Sequence, residues 1–208
     1  QYSEINVASS WFGGNTSLGD YAFQTILHEI GHGLGLGHQG LYNGSGGYST
    51  DADFTNDSWQ AAMMSYFPQD NNAYFYNSST NTSVDASFAF LSTPMVVDWI
   101  ALDDLYGAQG YGISNAFVDD TTYGFNTTIS ASTSKVFNEL KDWIPTTAFT
   151  VVDAGGADTL DFSGFASTQL IDLRPSDVSV TNVYASNIGG KTGNLTFAPG
   201  TLIETAIG

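Results

Sequence analysis

All three histidines of the chain fall within one short run, His28-Glu29-Ile30-Gly31-His32-Gly33-Leu34-Gly35-Leu36-Gly37-His38. On a helix, His28 and His32 are four positions apart and lie one above the other. Two imidazoles so placed can reach one divalent metal at about 2.0–2.1 Å each. Glu29, one position further on, is placed to act on water at that metal. The helix must break before His38 can return to the same ion, and Gly35 accepts the positive φ that such a break needs. From this chain's own frequencies of His, Glu and Gly, a chance match to the whole pattern is about one in a million. A lone histidine is usually a satisfied core or surface residue. Three, all at motif positions and none elsewhere, point to hydrolysis by water activated between a metal and a carboxylate.

These residues need a helix to carry them. Ser17 and Asp20 have capping-box spacing, and Phe23, Leu27, Ile30 and Leu34 recur with a helical period. The spacing predicts a helix from near Ser17 to near Gly35 with those four on one face. Residues 1–16 read as an extended segment, Ile5 and Val7 alternating with polar positions, running into a Gly13-Gly14-Asn15 turn. Residues 39–92 are rich in Gly, Asn, Ser and Asp and read as long surface loops, the most mobile being Asn71–Ser87. Thr93-Pro94 opens a second helix, Thr as cap and Pro at the first position. Met95, Trp99, Leu102 and Tyr106 supply its apolar face, and Gly107 closes it. Beyond Gly107, six short β-type runs appear: Lys135–Trp143, Phe149–Val152, Thr159–Phe162, Leu170–Leu173, Val178–Tyr184 and Asn194–Phe197. Their close punctuation by Gly, Asp and Ser argues an all-β roll or sandwich. The fold class is therefore α+β, with a catalytic region over 1–110 and a β-rich domain over 111–208, the boundary falling near residues 108–116.

Composition narrows the partners. The chain has 208 residues, 42% apolar and 14% aromatic, enough to bury a core. Its formal net charge is −17, with Lys135, Lys141, Arg174 and Lys191 as its four basic residues. Such a chain repels nucleic-acid phosphates and anionic membranes. Seventeen aspartates stand against four glutamates. Short carboxylates in glycine-rich turns suit hard cations such as calcium, although a solvated acidic surface accounts equally well for most of them. There is no cysteine, so neither a disulfide nor a thiolate zinc site is available. No stretch approaches the roughly 18 consecutive apolar residues of a membrane-spanning helix. Gln1 is not an initiator methionine, and no signal-peptide pattern follows it.

The extended motif resembles that of the metzincin zinc peptidases, which place a methionine turn beneath the metal. Met64-Ser65-Tyr66, within Ala62-Met63-Met64-Ser65-Tyr66-Phe67, is similar to that turn; Met63 is an alternative with a longer offset to the tyrosine. A tyrosine two residues after the methionine, with Gln39 rather than a glutamate after His38, is similar to the serralysin branch more than to the astacins. Thr122–Asn126, Asp153–Gly164 and Ile203–Gly208 are similar to the serralysin region before its tandem calcium repeats.

The resemblance implies a secreted zinc endopeptidase. Its zinc is held by His28, His32, His38 and Tyr66, its general base is Glu29, and Tyr66 also stabilises the oxyanion. Gly35 and Met64 have structural roles. It further implies calcium bound by Asp119, Thr121, Asp153, Gly155 and Asp158, and by Gly156, Asp158, the Leu202 carbonyl and Glu204. Where the family usually has an arginine two residues before Asp119, this chain has Phe117; a carbonyl ligand needs no particular side chain. The resemblance also implies a fragment, lacking the first part of a catalytic domain and the tandem repeats. The expected partners are protein or peptide substrates. The remaining portion of the protease as a separate chain, and a proteinaceous protease inhibitor, are candidate partners. A reading from another class is a calcium-dependent binding or export module with a vestigial zinc site. It predicts calcium-dependent folding with no bound zinc.

Overall fold

The computed structural model describes residues 4–8, 10–11, 17–70, 76–77, 82–83, 86–179 and 184–208. The expectations for the Gly13-Gly14-Asn15 turn and for most of Asn71–Ser87 lie outside those residues. Five helices are described: α1 (Tyr21–Gly33), α2 (Tyr48–Asp51), α3 (Val96–Tyr106), α4 (Lys135–Asn138) and α5 (Leu140–Trp143). The strands are β1 (Tyr76–Asn77), β2 (Thr82–Ser83), β3 (Phe90–Leu91), β4 (Thr122–Gly124), β5 (Thr147–Val151), β6 (Thr159–Asp161), β7 (Leu195–Phe197) and β8 (Thr205–Ile207). No helix among the described residues is long and apolar enough to cross a membrane.

Strands β3, β5 and β7 form one three-stranded parallel sheet, and β4, β6 and β8 form another; β1 and β2 make a small antiparallel ribbon. From β3 onward the chain passes alternately through the two parallel sheets. Every residue of β5 is buried, as expected of a central strand covered on both faces. The larger core lies between the sheets, built from Tyr123, Phe149, Val151, Leu160, Leu195 and Phe197 and closed by Phe137, Leu140 and Ile144. A second cluster, Trp59, Met63, Met64, Leu91, Met95 and Ala148, joins the loops after α1 to the edge of the β3 sheet. Because β3 pairs with β5, this sheet runs across residues 110 and 111.

Several local expectations are corrected. Asp20, not Ser17, caps α1, its carboxylate accepting the Phe23 N–H at 3.2 Å. Asp20→Ala is expected to destabilise the fold by about 1 kcal/mol, read as a lower thermal midpoint. The buried face of α1 is Ala22, Gln24, His28 and Gly31, while Ile30 and Leu34 are exposed. Two small residues admit the neighbouring loop, and Gln24 is buried because its side-chain carbonyl accepts the Leu91 N–H at 2.9 Å. Helix α3 starts at Val96, not at Thr93-Pro94. The Thr93 hydroxyl instead accepts the Thr150 N–H of β5, and Asp98 accepts the Met95 N–H at the helix start.

Lys135–Trp143 is helical, not a strand. Ser134 caps it, Lys135 pairs with Glu139, and Phe137, Leu140 and Ile144 fall on one buried face with helical spacing. Leu170 makes a single bridge to Asn187 rather than belonging to a strand. Val178 and Ser179 form a turn, and residues 180–183 lie outside the described set.

Candidate metal centre and active site

The three histidines converge. Helix α1 holds His28 and His32, and then ends as a Schellman motif: Gly35, at φ +98°, donates to the His32 carbonyl, and Leu36 donates to the Gly31 carbonyl. That turn brings His38 back, so that its Nε2 lies 3.2 Å from His28 Nε2 and 3.1 Å from His32 Nε2. Ligands about 2.05 Å from a tetrahedral ion lie roughly 3.3 Å apart, close to these spacings.

Each Nδ1 is held by a backbone carbonyl: His28 by Met63 at 2.9 Å, His32 by Leu36 at 2.9 Å, and His38 by Tyr42 at 2.8 Å. A carbonyl only accepts, so Nδ1 is the protonated nitrogen in each ring. The three Nε2 atoms therefore face one another as lone pairs, an arrangement that fits a cation and little else. Burial, then the neighbouring His32 and His38, hold His28 below the usual histidine pKa, which favours the neutral ligand form. Among the described residues, this is the one group of three or more His, Asp or Glu side chains whose ligand atoms lie within 4.8 Å of one another.

The other predicted residues surround this triad. Met64 is buried beneath α1; a Cβ on Gly31 would come within 2.5 Å of its sulfur and 2.8 Å of Met63 Cε, so glycine is what lets the loop approach. The Tyr66 ring packs edge-on to His38 at 4.6 Å, and its hydroxyl accepts the Gly44 N–H at 3.2 Å. Glu29 is exposed and lines two cavities. One, of about 380 Å³, is bounded by His28, Tyr66, Tyr21, Trp59 and Gly44–Gly46. The other, of about 430 Å³, lies between α1 and the segment carrying Ile5 and Val7.

Asp98 was not singled out by the sequence. Its Oδ2 accepts the Met63 N–H at 2.6 Å and the Met95 N–H at 2.8 Å. It thereby holds the backbone N–H of the same residue whose carbonyl holds His28, and burial pushes it up to about 7. Its only sequence signal is an acid in the first turn of a helix.

Of the residues expected around calcium, Thr121 and Glu204 meet at Asp158. Thr121 N–H donates to Asp158 Oδ1, and the Asp158 N–H donates to Glu204, each at 2.7 Å. The Thr121 hydroxyl donates to the Asp119 carbonyl at 2.7 Å, and Gly155 N–H to Asp153 at 3.1 Å. A Cβ on Gly156, at φ +136°, would sit 2.7 Å from the Asp119 carbonyl. Leu202 is exposed nearby in sequence to Glu204. Asp153 and Asp158 are both buried, and Asp158 Oδ2 has no hydrogen-bond partner among the described residues. Burial pushes Asp153 up to about 6 and also raises Asp158, to which the adjacent Glu204 adds. Buried carboxylates mixed with carbonyls, one oxygen left orphaned, make a donor set suited to a hard cation.

Two histidines on α1 and a third from the coil beyond it bring their ligand nitrogens together next to the exposed Glu29, a grouping that could hold a metal ion. Residues 114–208 match the family described as Peptidase M10 serralysin C terminal. The chain is 37% identical over 210 residues to metallopeptidase AprA of Pseudomonas marginalis, covering 96% of this chain and 40% of that protein. It is 36% identical over 208 residues to serralysin C of Dickeya chrysanthemi, covering 96% and 38%. It is likewise 36% identical over 208 residues to a serralysin of Photorhabdus sp. (strain Az29), covering 98% and 38%. Over nearly its whole length the chain is similar to serralysin-type metallopeptidases, and it spans about two fifths of the length of these relatives.

Proposed function

We propose that the chain forms the zinc-bearing part of a secreted endopeptidase that hydrolyses peptide bonds in proteins. One observation carries this reading: three imidazole Nε2 atoms converge while all three Nδ1 atoms are tied to carbonyls. His28, His32 and His38 would hold zinc, with Tyr66 as a further ligand. Bound zinc would supply Lewis acidity, acidifying a water and polarising the scissile carbonyl. Glu29 would accept the proton of the attacking water and return it to the leaving amine. The Tyr66 hydroxyl, released from Gly44, would donate to the developing oxyanion. The polypeptide would run past Glu29 along the two cavities, one of its side chains entering beside Trp59 and Tyr21.

The metzincin character of the α1 region and the roll-like character of the alternating sheets belong to the same proposal. So do calcium at the Asp158 hub, the calcium set of Asp119, Thr121, Asp153, Gly155, Gly156, Leu202 and Glu204, and an extracellular location. The rest of the protease and a proteinaceous inhibitor stand as proposed partners. The test is metal analysis with a casein-type assay, with and without a zinc chelator. About one zinc per chain, and proteolysis abolished by chelation and restored by zinc, are expected. A chain that takes up calcium but no zinc would favour the binding or export module instead.

A further inference from the structure

His28 and His32 are fixed by the geometry of α1, whereas His38 sits in coil beyond a helix end. A ligand on coil must be held by something else, or its ordering entropy is lost each time the metal binds. The structure supplies a specific device. Tyr42 accepts the His38 Nδ1–H on its carbonyl at 2.8 Å and stacks its ring on the same imidazole, with centroids 5.2 Å apart and planes 19° from parallel. One residue therefore holds His38 by an edge and by a face. Tyr42 is itself anchored, since its hydroxyl donates to Asp57 Oδ1 at 3.0 Å.

Asp57 is fully buried. Burial pushes its carboxyl above the usual range, while the Ser65 and Tyr42 hydroxyls pull it back. A buried carboxylate with the Tyr42 hydroxyl on one oxygen, and no partner among the described residues for the other, is an expensive way to gain stability alone. It stands between the loop that carries His38 and the turn that carries Tyr66, which packs on both Tyr42 and His38.

We infer that Asp57 and Tyr42 are positioning residues for His38: the Asp57–Tyr42 hydrogen bond pre-sets the third metal ligand. This rests on the zinc reading above. Each Nδ1–carbonyl contact orients one imidazole; the His38 contact depends on a side-chain anchor from a segment fifteen residues away, and that anchor acts on the same residue whose ring stacks on His38.

The test uses the full chain in calcium-containing buffer and needs no turnover. Zinc affinity is measured by competition with a chromophoric chelator, cobalt(II) absorption reports coordination, and thermal midpoints are taken with and without zinc. Tyr42→Phe and Asp57→Ala are each expected to weaken zinc binding by about 10–100-fold. Both should shrink the zinc-induced rise in midpoint and lower the cobalt absorption as the third imidazole loosens. Asp57→Asn keeps an acceptor for the Tyr42 hydroxyl and is expected to stay within about threefold of wild type, well inside that loss.

A merely structural role would lower the midpoints of the zinc-free and zinc-loaded forms equally and leave affinity unchanged; that result overturns the inference. So does an Asp57→Asn variant as weak as Asp57→Ala. If Asp57→Ala does not fold, Tyr42→Phe decides alone. Wild-type chain that takes no zinc overturns this inference together with the reading it rests on. Wild-type uptake with unaffected variants overturns this inference only.

Discussion

Replacing Glu29 by glutamine is expected to leave zinc in place and to lower peptide hydrolysis by roughly 10²–10⁴. Glu29 is exposed and accepts no hydrogen bond from the described residues, so the substitution should change stability by no more than about 0.5 kcal/mol. It removes no imidazole and disturbs none of the three Nδ1–carbonyl contacts. What it removes is the one carboxylate that borders both cavities beside the triad. A glutamine amide can still orient water but cannot take its proton. Metal content and hydrolysis should therefore separate: one zinc per chain, with turnover near background. Wild-type turnover in the variant would strip Glu29 of its role, and joint loss of zinc and activity would recast it as a structural residue.

How much of this was legible beforehand follows from sequence distance. The triad could be read because its geometry is local: two residues one helical turn apart, a glycine at positive φ, and a third histidine three positions on. The devices that hold it are not local. His28 leans on the Met63 carbonyl, the Met63 N–H leans on Asp98, and Gln24 clamps α1 to Leu91, each pair 35 to 67 residues apart. Nothing in the spacing of one short segment encodes such a meeting.

The same cause explains which residues of α1 are buried. Phe23, Leu27, Ile30 and Leu34 have the right period, but the loop carrying Met63 and Met64 packs on α1 at Gly31, where the missing side chain leaves room. Lys135–Trp143 failed differently. Its β-prone Val136, Phe137 and Trp143 outweighed a helical period that the Ser134 cap and the Lys135–Glu139 pair reinforce. In the second half, Thr159–Phe162 and Asn194–Phe197 read correctly because each is a short buried strand bounded by turns.

The second large effect concerns the Asp158 hub, where calcium should invert the pH dependence of stability. Without calcium, Asp153 sits at about 6 instead of 3.8, and Asp98 at about 7, because burial disfavours their charged forms. As pH rises from 4 toward 7, the unfolded chain releases these protons first, so calcium-free stability falls across that window. Asp57 and Asp158, also raised, act in the same direction. His28, held below its usual value, opposes them below about pH 6.5, since its unfolded form protonates first. Asp161 and Asp172 are lowered and act only beneath pH 4.

Comparison with Asp153→Asn removes the terms of the distant groups and leaves Asp153 with its coupling to Asp158. The shift from 3.8 to about 6 corresponds to about 3 kcal/mol at pH 7. In calcium chelator at pH 7, Asp153→Asn should therefore be the more stable protein by up to that amount, and near pH 4 the difference should vanish. In millimolar calcium the order should reverse, because the ionised carboxylate becomes a ligand, protons compete with the ion, and wild-type stability climbs with pH. Urea unfolding midpoints of both proteins at pH 4 and 7, with calcium and with chelator, read this directly. Wild type more stable than Asp153→Asn in chelator at pH 7 would remove the cation from the account of this hub, since a carboxylate that helps the fold without calcium has no need of one.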